Sequence, residues 1–195
     1  MKKFEGFKSE ASGGSYPMLP AGPYVCEVKG VKIEGAEPDQ VLILRLDITE
    51  GEFTGYYTKR YQHDTANNVG SNFPVKYKGD FRIQIPNEAN TKRTHPEWDI
   101  KAFNNMVWCM EQSNEGYRWN WDENTLKGKT VGINVRAGTY NGNPYTQIGR
   151  LEVAGDVRKG LVKTMKPKAD SGSSATEAGA AVPAGFVPVE DEIPF

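Results

Sequence analysis

Residues 97–112 carry a clear helical stripe, and nearly everything ordered around them reads as strand. Ile100, Phe103, Met106, Val107 and Met110 recur at i, i+3, i+6, i+7 and i+10, one face of a helix. Pro96 with Glu97 and Asp99 marks the start, and Ser113-Asn114-Glu115-Gly116 marks the end. One amphipathic helix among strands points to a mainly β domain.

The strands are read from period-two alternation and from apolar density. Tyr24 to Lys32 alternates Val and Cys with charged residues. Val41 to Ile48 is dense enough to be central. Phe53 to Tyr61, rich in aromatics, reads as a third strand, and residues 62–80 as a long loop. Phe81 to Ile85 alternates as a short extra strand or loop edge, stopped by Pro86. Lys129 to Arg136 is the next strand, Asn141-Gly142 a hairpin turn, and Tyr145 to Val153 the last strand. Strand, strand, strand, helix, strand, strand is the plan of an OB-fold, a five-stranded Greek-key barrel with its helix between strands 3 and 4. Another small barrel or an α+β sheet would also accept this order.

Composition divides the chain further. Residues 1–18 are Gly/Ser-interrupted and read as a flexible arm before a domain at 19–160. Residues 161–185 are too poor in large apolar side chains to build a core and read as a disordered linker. Residues 186–195 form an acidic tail. No run is apolar enough to span a membrane and no secretory h-region opens the chain, so a cytoplasmic location is expected. Two distant cysteines, Cys26 and Cys109, suit buried packing better than a disulfide or metal site.

The net charge is −1, but its distribution matters more. Residues 56–93 hold seven basic side chains against three acidic ones, enough for a local phosphate-binding surface. Within it, Tyr56, Tyr57, Lys59, Arg60 and Tyr61 interleave rings with cations, and Arg82, Lys92 and Arg93 follow. Single-stranded nucleic acid needs cations for phosphates and flat rings for unpaired bases. On a strand, Tyr57, Lys59 and Tyr61 share the face expected to meet solvent. The plainer alternative is that these are ordinary strand tyrosines. A second candidate is the hairpin between Tyr140 and Tyr145, whose rings either clamp bases or form a cross-strand pair. Trp98, Trp108, Trp119 and Trp121 read as packing. Enzyme chemistry finds no footing: His63-Asp64 and His95 have no nucleophile motif, phosphate loop or metal-ligand spacing around them. No cofactor is expected.

The tail, Glu190-Asp191-Glu192-Ile193-Pro194-Phe195, sets carboxylates before two apolar side chains, a fit for a basic-rimmed pocket on a partner. It resembles the acidic tail of bacterial single-stranded-DNA-binding proteins, although those tails usually carry more aspartates. Gly22-Pro23-Tyr24, the segment Gly51 to Tyr57, Glu111-Gln112-Ser113-Asn114 and Leu126-Lys127-Gly128-Lys129 are similar to replication-module proteins of phages and mobile elements of Gram-positive bacteria, over roughly residues 15–160. The resemblance implies a non-enzymatic, non-sequence-specific single-stranded-DNA-binding protein of replication or recombination. Its tail would recruit replication, recombination or repair proteins. The alternative is an adaptor whose barrel binds protein and whose tail mimics that of a host protein. No interface stripe is left over to fix an oligomeric state, and self-association stays open.

Overall fold

The computed structural model describes residues 15–68, 72–90 and 93–170. Its centre is one five-stranded, wholly antiparallel sheet in the order β3-β2-β1-β4-β5, open at its β3 and β5 edges. The strands are β1 (Gly22–Glu34), β2 (Val41–Ile48), β3 (Asp80–Gln84), β4 (Thr130–Tyr140) and β5 (Asn143–Glu152). β1 is shared: Gly22–Glu27 pair with β4, and Cys26–Glu34 pair with β2. A register shift between Val28 and Gly30 interrupts the β2-paired stretch just past the last residue paired to β4.

Alternation decides which face is inside. Leu42, Leu44, Leu46 and Ile48 of β2 point into the core beside Cys26 and Val28. Val131, Ile133 and Val135 from β4 join them. Helix α2 (Pro96–Ser113) lays Phe103, Met106, Cys109 and Met110 on this layer. Its predicted limits hold to within a residue at each end. Asn114 ties its end to the sheet, donating to the Met110 and Thr130 carbonyls and accepting from the Thr130 N–H. Both cysteines are buried and unbridged, and burial pushes the Cys109 thiol up to about 12.

The expected third strand is not a strand. Phe53 begins a turn, and Tyr56–Ala66 form helix α1. Gly51 and Gly55 take left-handed angles, φ 82° and 74°, and turn the chain sharply out of β2. The buried Asp47 carboxylate on β2 then accepts from the Ile48 and Tyr57 N–H groups and from the Thr58 hydroxyl. This cap comes from another element, so no local pattern announces it. The third strand is the short Phe81–Ile85 segment, seen as β3 at Asp80–Gln84 and paired to β2. Gly79 just before it fits where nothing larger would: a Cβ there would lie 2.3 Å from the Leu46 carbonyl oxygen. Thus a helix does lie between the third and fourth strands, as expected, but a further helix precedes the third.

Two expected boundaries also move. Residues 161–170, the first part of the expected linker, are tied along β4. The Lys168 N–H donates to the Ala137 carbonyl, Asn134 to the Lys163 carbonyl, and Arg136 to the Lys166 carbonyl. Met165 fills the space over Gly149. At the expected arm, Tyr56 Oη donates to the Pro17 carbonyl and accepts from the Leu19 N–H. Residues 1–14 and 171–195 lie outside the described residues. Helix α3 (Ala154–Arg158) follows β5 and seats Val157 against Gly132.

Candidate functional site

The predicted aromatic-basic segment divides once it is helical. A 3.6-residue period replaces the two-residue one, so Tyr56 and Tyr57 both turn inward, 5% and 4% exposed. Tyr57 was expected to face solvent; instead, burial drives its phenol far above the ordinary tyrosine range. Tyr56 packs edge-on to Tyr16, Phe53 and Tyr57 at 5.4, 6.4 and 5.3 Å. Neither ring can lie flat on a base.

The remaining members stay outside. Lys59 is exposed and donates to the Thr54 carbonyl. Tyr61 is 39% exposed, its ring 5.7 Å from that of Tyr77. Arg60 is half-buried, donates to Tyr56 Oη and lies 3.5 Å from the Asp64 carboxylate.

Arg82 and Arg93 are held by carboxylates. Arg93 grips the Asp99 carboxylate with two nitrogens beside the start of α2. Arg82 pairs with Glu34 across the outer face of the sheet, where Lys32 reaches the same carboxylate, both at 2.9 Å. These two cations hold the Glu34 carboxyl below its usual range. Arg45 meets Asp80 through two bonds, 2.9 and 3.1 Å, and its guanidinium lies 4.7 Å from the Tyr77 ring centre. The outer face of β1, β2 and β3 therefore neutralises much of its own charge. Lys92 lies outside the described residues, as do Glu190, Asp191, Glu192, Ile193, Pro194 and Phe195 of the tail.

The predicted hairpin is where it was expected. Asn141 and Gly142 take φ 49° and 75°, the left-handed pair a tight hairpin turn requires. Tyr140 pairs with Asn143 and Tyr145 with Gly138, so the two tyrosines are diagonal neighbours on one face, not a direct pair. Tyr140 is 57% exposed. Tyr145 is half-buried, and its ring occupies the space that a side chain at position 138 would need. The Asp170 carboxylate accepts from the N–H groups of both turn residues, at 3.1 Å each.

Tertiary structure brings Arg60 and Tyr145 together, although 85 positions separate them in the chain. They share a groove of about 630 Å³ whose walls come from residues 15–18, α1, Lys78 before β3, and Pro144–Gln147 of β5. It gathers two cations, Arg60 and Lys78, and two rings, Tyr16 and Tyr145. Lys78 is exposed and forms no ion pair among the described residues. Sequence reasoning missed Tyr16 and Lys78 as members of this groove. Lys78 lay within the basic stretch and could have been weighed there, while Tyr16 sits in an arm with no local signal.

Among the described residues, no group of three or more His, Cys, Asp or Glu is placed to hold a metal ion, and no helix is long and apolar enough to cross a membrane. Compared with protein-family models and with curated proteins, the chain matches none.

Proposed function

We propose that this chain binds single-stranded DNA without sequence preference and serves replication or recombination as a binding protein, not an enzyme. The groove between α1 and β5 carries the reading: two cations stand beside two tyrosine rings, the pairing that unpaired nucleotides need. The strand order supports it. A long first strand shared by two neighbours, edges at β3 and β5, and a helix between β3 and β4 are consistent with an OB barrel opened along that seam. In such barrels the loop between the fourth and fifth strands meets the ligand, and Tyr140 and Tyr145 flank that loop here. The tail, Glu190 to Phe195, would recruit a second protein through its carboxylates and apolar end.

The test is a titration with oligo-dT, followed by intrinsic fluorescence over a salt series, for the natural chain and for a chain carrying Arg60→Ala and Lys78→Ala. Binding that weakens with salt, and that the double substitution loosens, is expected. No binding in dilute buffer would end the proposal.

The adaptor reading draws on one observation, the carboxylate-paired arginines of the outer sheet face, which leave little free positive charge there. It predicts no response to oligo-dT at any salt concentration.

A further inference from the structure

We propose that a cleft between α2 and the segment following it receives a cationic side chain, a lysine or arginine of a partner protein. This is a site separate from the groove above, and it does not depend on DNA binding. The cleft encloses about 300 Å³ and is lined by Phe103, Val107, Trp108, Trp119 and Trp121, with Asn104 and Glu111 as the polar members.

Four observations converge. Trp108 and Trp121 are 58% and 76% exposed, an unusual position for the largest apolar side chains. Trp121 holds φ 65°, a left-handed angle that a bulky residue adopts at a cost, and such strain gathers at sites of function. Its ring is not loose: it stacks on Phe103 at 5.9 Å and 16°, with Trp119 at 6.2 Å and 58°. The indole N–H of Trp119 is buried and has no hydrogen-bond partner among the described residues.

Glu111 selects the occupant. It is the one ionisable residue among those lining the cleft, and one of its oxygens is fixed by the Trp119 backbone N–H at 2.9 Å. A purely apolar guest would gain nothing from a carboxylate, and a phosphate backbone would be repelled by it. An ammonium or guanidinium gains twice, from the indole faces and from the carboxylate, while its aliphatic stem covers the rings. Arginine suits best, because its planar head can stack on an indole while donating to Glu111.

The test follows the tryptophan indole N–H signals of the full chain by NMR during titration with an acetyl-Gly-Arg-Gly-amide peptide and with its neutral citrulline counterpart. Saturable shifts at Trp108, Trp119 and Trp121 are expected with arginine, with binding on the order of five- to tenfold weaker for citrulline. Glu111→Gln, which keeps an oxygen for the Trp119 N–H, should shrink that preference to the share the indole faces supply, and Trp108→Ala should weaken both peptides. Equal binding of the two peptides, or no shift with either, overturns the proposal whether or not the variants fold. Shifts of the same indoles by oligo-dT in place of the arginine peptide would assign the cleft to bases and overturn it as well.

Discussion

Two tyrosine-bearing regions look alike in one dimension and are opposite in three. Tyr56-Tyr57 on α1 and Tyr140 with Tyr145 on the β4–β5 hairpin both sit among polar and basic neighbours. The first pair is core, walled by Phe53, Tyr16 and β2. The second pair borders solvent and the groove. The difference lies in what fixes the backbone. The hairpin is local: Asn141-Gly142 dictates the turn, and the flanking residues keep a two-residue period. α1 is imposed from outside by Asp47, ten residues earlier than Tyr57, and by two left-handed glycines.

The largest expected effect tests the core side of this contrast. Tyr57→Ala should cost about 3–5 kcal/mol of stability by urea unfolding, as for other large buried rings, and Tyr57→Phe far less. A Tyr57→Ala chain of unchanged stability but without oligo-dT binding would return that ring to the surface and break the comparison.

Next comes the cap. Asp47→Ala leaves the Tyr57 N–H and the Thr58 hydroxyl without their acceptor and should cost about 1–3 kcal/mol in thermal unfolding. Faster hydrogen exchange at Tyr57 and Thr58 than at α2 would locate the loss at the start of α1.

The hairpin should behave in the reverse way. Tyr145→Ala should weaken oligo-dT by about 1–3 kcal/mol through lost stacking, with a smaller effect on the unfolding midpoint. Lys78→Ala should lower the slope of log affinity against log salt by about 0.7, one phosphate contact on a single strand. A substitution at Tyr145 that unfolds the chain, or an unchanged salt slope for Lys78→Ala, would erase the distinction between the regions.

The smallest effect concerns the ion pair between α3 and the turn before α1. Arg158 after β5 binds Glu50 beside the turn into α1, at 2.7 Å at the closest. It holds the Glu50 carboxyl below its usual range. A carboxyl lowered in the folded state stabilises above its unfolded value, and that gain fades as pH falls through the lowered value. Both side chains are nearly half exposed, so solvent screens the pair. Glu50→Gln should cost only a few tenths of a kcal/mol at neutral pH and nothing in strong acid, read from urea midpoints.

Much of the frame was legible. β2, α2 and the hairpin announce themselves through continuous apolar density, a single stripe and a two-residue turn, all local signals. The third strand was misplaced because Phe53 to Tyr61 has strong β composition, while its helix depends on a carboxylate from β2. Residues 161–170 were read as linker because they lack a core, yet their backbone is satisfied by Asn134, Arg136 and Ala137 of β4. Of the candidate site, Arg60 and Tyr145 were named and meet in one groove. Arg82 was named and is occupied by Glu34, a carboxylate that only the fold brings within reach, whereas Arg93 is occupied by Asp99, six positions further along the chain.

By itself the sequence determined the local periods of β2, α2 and the hairpin: where a strand runs dense in apolar residues, where one helix lays its stripe, and where the chain turns on Asn-Gly. Those properties depend on neighbours within a few residues, so covalent geometry and solvent suffice to express them. Tertiary structure alone decided which rings are buried, which cations are already paired, and which distant side chains share a groove. Those outcomes depend on distances between segments far apart along the chain, and a distance through space has no signature in residue order.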